Sequence, residues 1–213
     1  MPGEPWEANL KTLVSIGVVV AALSIARPHL RRVLDLEHTR LTAATDPARS
    51  ASDVKGEEHF SPAEDLEQLD IAALRQANQA VDVAMYSFTD RRLAKGLNEL
   101  ALRGVKIRIY RDQTEYQTEE QNAFRFHEPS TTQMFRGRAN IQVRVKRGPE
   151  RVLMHLKSFA VDGRLVRDGS ANWSLGALRQ DNNAHYATDP KDISRFKKAF
   201  EAMWERPTNL VIQ

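Results

Sequence analysis

The chain has 213 residues, and 31 Lys plus Arg against 28 Asp plus Glu leave a net charge of +3, which excludes a polycation and confines any basic partner surface to one region. An apolar fraction of 41% with 10 Gly and 9 Pro excludes a disordered or fibrous chain. The absence of cysteine excludes disulfide frameworks, thiolate zinc sites and cysteine nucleophiles, and leaves the redox compartment open.

The first predicted element is Leu10 to Ala26, LKTLVSIGVVVAALSIA, a largely apolar run whose one charge is Lys11. As a helix it spans roughly 25 Å, and snorkelling of Lys11 with slight thinning of the bilayer makes up the shortfall against a core of about 30 Å. Residues 1–32 are therefore expected to be a single-pass N-terminal membrane anchor. A cleaved signal peptide is the alternative, disfavoured by Glu4 and Glu7 ahead of Lys11 and by Arg27-Pro28 after Ser24-Ile25-Ala26. Arg27, Arg31 and Arg32 place the body in the cytoplasm by the positive-inside rule, whereas cleavage would make it periplasmic or secreted. Residues 33–58 lack sustained apolar periodicity and read as a stalk, and residues 59–213 as the folded domain.

Ser61 or Pro62 opens a predicted helix in which Leu66, Leu69, Ala73 and Ala77 recur at helical spacing. Val81 to Ser87 reads as a strand, Asp90 to Arg103 as a helix closed by Gly104, and Val105 to Tyr110 as a second strand, which together make a βαβ unit and a parallel sheet. Gln113 to Ala139 is polar and weakly periodic, a long segment expected to cover or shape a site. Strands follow at Ile141–Val145, Val152–Val161 and Arg164–Arg167, the last two joined by an Asp162-Gly163 turn that favours a hairpin. Gly169 to Arg179 is a loop or helix start, a short strand lies near His185 to Thr188, and a helix runs from Asp192 to Trp204. Between Gln133 and Arg167 nine Lys or Arg face only Glu150 and Asp162, a local excess of seven positive charges. Arg136, Arg138, Arg144, Lys146, Arg147 and Arg151 within this run form either a solvated face or, the reading favoured here, a groove for a polyanion.

Val152 to Val161 is apolar in both alternating sets, as in a strand buried on both faces, yet His155 and Lys157 interrupt it. Two residues apart on a strand, they project from the same face with Cα atoms about 6.5 Å apart, close enough to share one phosphate. An ammonium in such a strand is costly unless an anion or hydrogen-bond network meets it. A lone histidine here would read as a satisfied core residue, but the pair points to anion chemistry. Asp162 lies on the opposite alternation at the turn, where a structural role is favoured over a catalytic one.

The run His155-Leu156-Lys157-Ser158-Phe159-Ala160-Val161-Asp162, followed by Gly169-Ser170-Ala171-Asn172-Trp173-Ser174, resembles the H-x-K-x4-D and G-S-x-N signature of the phospholipase D superfamily. Phe60-Ser61-Pro62, the Val83–Thr89 strand and Arg103-Gly104-Val105 leading to Arg111-Asp112 also look like that family, so the resemblance extends from His59 to the last helix. Within the superfamily the chain is most similar to the single-motif members, the bacterial Nuc-type endonucleases and the mitochondrial phospholipase D/Zucchini group. The resemblance implies an α/β/α sandwich with a mixed, largely parallel sheet, and a metal-independent phosphodiesterase without a cofactor. It implies a homodimer in which two H-x-K motifs complete one site. His155 would then be the nucleophile and His155 of a second copy the acid for the leaving oxygen. Lys157, Ser170 and Asn172 would bind the non-bridging oxygens, and Asp162 completes the motif. The family places an acidic residue about thirteen positions after the motif serine to orient the histidine. That position is Asn183 here, so either Asp181 or the amide of Asn183 takes the role.

Tyr86, Thr89 and Asp112 stand at strand ends, where ligands bind in open α/β sheets or where a residue simply caps the strand. Trp173 lines the pocket mouth or packs in the core. His29, His38, His59, His127 and His185 show no ligand-like spacing, and no metal site is expected. The expected function is a membrane-tethered, homodimeric nuclease acting on nucleic acid, preferably single-stranded. The alternatives are a phospholipase D acting on phosphatidyl lipids such as cardiolipin and a non-enzymatic phosphate-binding membrane adaptor.

Overall fold

The computed structural model describes residues 56–149 and 152–212. The predicted anchor, most of the stalk, and Arg151 of the basic run lie outside these residues, and among the described residues no helix is long and apolar enough to cross a membrane. The elements in chain order are β1 (Glu58–Ser61), α1 (Leu66–Arg75), β2 (Ala80–Met85), α2 (Arg91–Leu102), β3 (Lys106–Arg111), α3 (Gln113–Phe126) and α4 (Thr131–Phe135). They continue with β4 (Ile141–Val145), β5 (Lys157–Val161), β6 (Leu165–Gly169), a 3-10 turn (Ala177–Arg179), β7 (Asn182–Ala187), α5 (Pro190–Trp204) and β8 (Leu210–Ile212).

All eight strands join one sheet in the order β1-β7-β6-β5-β2-β3-β4-β8. The βαβ unit is present as predicted: β2 and β3 are parallel, joined by α2, whose N-terminus is capped by the Asp90 carboxylate accepting from Arg92 N and Leu93 N. The sheet is mixed, but the expectation of a largely parallel sheet is corrected. Only the β2–β3 and β3–β4 pairings are parallel, and the other five among the described residues are antiparallel. The physical reason is loop length. A parallel partner needs a crossover of a dozen residues or more, while β5 and β6 are joined by the tight Asp162-Gly163 turn, both residues at positive φ (51° and 60°), which only an antiparallel hairpin accommodates.

Alternation along the central strands sorts side chains into two layers. Val81, Val83 and Met85 of β2, Ile107 and Ile109 of β3, and Phe159 and Val161 of β5 bury one sheet face against Leu66, Leu69, Leu93 and Leu97 of α1 and α2 and against Phe135 of α4. Ala84 and Tyr110 on the opposite face pack on Phe200 and Trp204 of α5, where Arg108 bridges Asp82 and Glu201 with four hydrogen bonds of 2.7–3.0 Å. The result is the expected α/β/α sandwich.

Two segments depart from the sequence reading. Gln113 to Ala139 contains α3 and α4. The periodicity is weak because α3 buries only Glu119 and so carries no apolar stripe; it is held by the Asp112 cap and by Arg111 gripping Glu119 at 2.6 Å. The strand predicted from Val152 begins only at Lys157, because β2 ends opposite it at Met85 and offers no further ladder beyond Tyr86 N donating to Leu156 O. Val152, Leu153 and Leu156 are consequently 56%, 41% and 38% exposed.

Asp162 belongs to the fold. Its carboxylate accepts the backbone N–H groups of Asn78, Gln79 and Ala80 at 2.8–2.9 Å and pairs with Arg164 at 2.9 Å, tying the hairpin to the entrance of β2. Burial alone would raise its pKa, but the three backbone donors and Arg164 outweigh it and hold the carboxyl below its ordinary value. A depressed folded-state pKa contributes stability above the unfolded value of about 4 and loses it as pH falls through the folded value. Asp162→Ala is expected to lower the unfolding free energy at pH 7 by roughly 2–3 kcal/mol in urea titrations, with the gap to wild type narrowing below about pH 4. A gap that stays constant through acid would contradict this role.

Candidate active site

The strand registers bring the motif residues to one edge of the sheet. Lys157, the first residue of β5, pairs with Met85, the last of β2, while Gly169 at the end of β6 pairs with Ala184 near the start of β7. The C-terminal ends of β2, β3, β4 and β6 therefore meet the starts of β5 and β7 on the same side, the side on which open α/β sheets bind ligands.

At this edge the Lys157 ammonium lies 3.0 Å from Nδ1 and 3.2 Å from Nε2 of His155 and donates to the His155 carbonyl at 2.9 Å. Both rest on Tyr86: the His155 ring centroid is 4.4 Å from the Tyr86 ring, and Lys157 Nζ is 4.8 Å from it. Lys157 is 6% exposed while His155 is exposed, so a fixed cation sits behind a reachable imidazole. Burial pushes the Lys157 amine below its ordinary pKa, opposed by the negative charge of Glu115. The Tyr86 hydroxyl is pushed up by burial and then by Glu115 and Asp112. A cation placed beside His155 would sit against the ammonium, so this arrangement suits an anion.

The G-S-x-N turn is placed by a feature absent from the motif reading. Arg167, fully buried, donates from Nη1 to the carbonyls of both Lys157 (2.6 Å) and Ala171 (3.3 Å), so one guanidinium pins both motif segments. Its Nε is held by Asp70 at 3.0 Å, and Asp70 also accepts from Trp173 Nε1 (2.7 Å) and the Tyr186 hydroxyl (2.6 Å). Trp173 is thus packed in the core, 2% exposed. Gly169 is required by close approach: a Cβ there would lie 2.3 Å from the Asn183 carbonyl, which accepts the N–H of Ser170 at 3.1 Å.

Ser170 Oγ donates to Asn182 Oδ1 and accepts from Asn183 N, both at 3.0 Å. Asn172 Oδ1 accepts from Ser87 N at 3.2 Å, which leaves its amide N–H groups as the donors it can offer a ligand. Asn183 uses its side-chain oxygen on Ser170 N (3.0 Å) and its amide nitrogen on Glu58 (2.6 Å). Asp181 is exposed, and neither Asp181 nor Asn183 hydrogen-bonds His155 among the described residues. Asp162 lies at the far end of β5 and takes no part in this cluster.

The predicted basic groove is divided by the strand that carries it. Lys146 and Arg147 follow β4 at the site edge, whereas Arg136 and Arg138 precede it at the opposite end. Arg144 points to the α5 layer, over the Trp204 ring at 4.6 Å and beside Glu205 at 3.5 Å. Lys146 is itself nearly buried; its ammonium donates to the Val152 carbonyl, and burial, then Arg206, lowers its pKa. Alternation along β4 and its length separate charges that stand side by side in the sequence. Among the other candidates, Asp112 is buried, capping α3 and accepting from Met154 N at 2.8 Å, and His59 is buried with Nδ1 2.8 Å from Glu64. His29 and His38 lie outside the described residues.

Sequence reasoning missed Asp70, Arg167 and Arg111. Arg111 is fully buried and binds Glu119, Thr132 and the Phe88 carbonyl, fixing α3 and α4 to the loop after Tyr86. The available signal was a charged residue at a position whose periodicity is that of the core: Arg111 continues Ile107 and Ile109, and Arg167 follows Leu165.

A family model described as "Cardiolipin synthase, PLD-like domain" matches residues 71–204. The mitochondrial cardiolipin hydrolase of Chlamydomonas reinhardtii is 26% identical over 133 residues, 62% of this chain and 54% of that protein. The mitochondrial cardiolipin hydrolase of Danio rerio is 29% identical over 146 residues, 66% and 58% respectively. The chain spans about half the length of these curated relatives. NucT from Helicobacter pylori superposes with a TM-score of 0.62 at 26% identity, covering 70% of this chain and 94% of that one. With the family match covering more than half of the sequence and running through His155, Lys157, Ser170 and Asn172, the chain belongs to the PLD-like domain family of the phospholipase D superfamily.

Proposed function

We propose that this protein is a phosphodiesterase that cleaves nucleic acid, preferably single-stranded, through a phosphohistidine at His155. The observation that carries the reading is the enclosed Lys157 ammonium 3.0 Å from an exposed His155 ring, a fixed positive charge beside a solvent-reachable imidazole. His155 attacks phosphorus, the bond to the leaving oxygen breaks, and His155 of a second copy, protonated, gives that oxygen its proton. The second imidazole, now neutral, takes a proton from water, whose oxygen attacks the phosphohistidine, freeing His155 and leaving a phosphomonoester. One imidazole must start neutral and the other charged, which two coupled copies across a two-fold axis provide. Lys157 and the Asn172 amide offer donors for the non-bridging oxygens, and the Ser170 hydroxyl joins them by turning away from Asn182.

Nucleic acid is favoured because the His155 ring is exposed and the exposed Arg147 follows β4 at the same edge, a cation for a polyanionic backbone. The second reading is a phospholipase D on phosphatidyl lipids, favoured by the exposed apolar side chains of Val152, Leu153 and Leu156 around His155 and by the resemblance to mitochondrial cardiolipin hydrolases. The N-terminal apolar segment would hold either activity at a membrane. A binding-only adaptor would show neither.

Labelled single-stranded DNA or RNA incubated with the protein in EDTA is expected to be cut, with the activity lost in His155→Ala and kcat lowered about 10²–10³-fold in Lys157→Gln. Release of headgroup from cardiolipin-containing vesicles without nucleic-acid cleavage would select the lipid reading, and equal inactivity of wild type and His155→Ala on both substrates would overturn the enzyme. When wild type and His155→Ala chains are mixed and allowed to exchange, activity should follow the square of the wild-type fraction. A linear dependence would contradict a site shared by two copies.

A further inference from the structure

We propose that Tyr86, the residue after β2, is a positioning residue of this site: its ring fixes the orientation of the His155 imidazole and holds the Lys157 ammonium beside it. The inference rests on the phosphodiesterase reading for its catalytic consequence and on side-chain contacts for its existence. His155 lies where no strand ladder holds the chain. β5 begins at Lys157, opposite Met85 at the end of β2, and the last bond between the two segments is Tyr86 N donating to Leu156 O at 2.8 Å. An exposed histidine on such a segment has several rotamers open to it, and only those that aim a ring nitrogen at the incoming phosphorus are productive. A rigid neighbour has to select among them.

Tyr86 is that neighbour. Its backbone is tied to the segment carrying His155 through Leu156 O. The next residue, Ser87, is tied to the G-S-x-N turn, donating its N–H to Asn172 Oδ1 at 3.2 Å and accepting from Trp173 N at 3.1 Å. The half-buried ring therefore stands on backbone bonded to both motif segments. The His155 ring centroid is 4.4 Å from that of Tyr86, with the planes tilted by 53°, and Lys157 Nζ lies over the same ring at 4.8 Å. Tilted ring pairs and a cation over a ring are both attractive, because the aromatic face is electron-rich. The ammonium also stands 3.0 Å from His155 Nδ1 and donates to the His155 carbonyl at 2.9 Å, so each of the three side chains touches the other two. These contacts use the Tyr86 ring and not its hydroxyl. Phenylalanine should therefore serve at this position where an aliphatic side chain does not.

The test uses the full chain labelled with 13C-histidine, in which the ring C–H resonances of His155 are assigned by their absence in His155→Gln. An aromatic ring at this distance displaces those resonances from the free-histidine position. Tyr86→Leu and Tyr86→Met are expected to abolish the displacement and to lower kcat about 10–100-fold, with KM changed less than about threefold, because orientation and not binding is lost. Tyr86→Phe is expected to keep the displacement and most of kcat. Either readout unmoved in the aliphatic variants would overturn the proposal, and so would a Tyr86→Phe protein as impaired as Tyr86→Leu, which would assign the effect to the hydroxyl. The resonances are read without turnover. A wild type that cleaves no phosphodiester would therefore defeat the functional reading while the contact between Tyr86 and His155 is still tested.

Discussion

The site depends on one buried ion pair. Asp70 from α1 and Arg167 from β6 are both fully enclosed, and Nη1 of the guanidinium donates to the carbonyls of both Lys157 and Ala171. Two stretches of chain that the motif separates by a hairpin are thereby fixed to one rigid group. Breaking such a pair strands a charge in a low-dielectric interior, at roughly 3–5 kcal/mol. The same carboxylate holds Trp173 and Tyr186, so the core behind the site and the backbone of the site are one network. Arg111 plays a parallel part on the other side, tying α3 and α4 to the Phe88 carbonyl, two residues after Tyr86. Two arginines that solvent never reaches thus fix the backbone on either side of the candidate site.

This construction explains why parts of the molecule were readable from sequence. β2, α2 and β4 were legible because alternation and the Asp90 cap are local signals, and the His155–Lys157 pair because two polar residues interrupt an apolar strand. α3 was not legible as a helix, since its placement comes from single polar contacts and no apolar stripe marks it. The extent of β5 was overread because residues 152–156 carry strand-like side chains but have no neighbouring strand; pairing, unlike propensity, is a long-range fact. The sheet's direction failed for a related reason. A βαβ unit announces parallel pairing only for its own strands, and the Asp162-Gly163 hairpin, itself correctly read, already committed the second half to the antiparallel sense.

The candidate site shows the same division. Residue type announced His155, Lys157, Ser170 and Asn172, and the fold gathers their segments at one edge. The direction of a charge was not announced: six basic residues in one run end up at two ends of β4, on its α5 face, or outside the described residues. Nor was the partner of a charge. Asp162 belongs to the same motif as Lys157 yet serves three backbone amides at the other end of the strand.

The central claim is that His155 becomes covalently bonded to phosphorus. The most direct measurement is mass spectrometry of peptides from protein quenched at alkaline pH during turnover of a single-stranded oligonucleotide, conditions under which a phosphoramidate survives. The account predicts a substrate-derived phosphoryl adduct on the His155 peptide that appears with substrate and decays as product forms. Turnover without any adduct on His155, or with the adduct on a different residue, would contradict it.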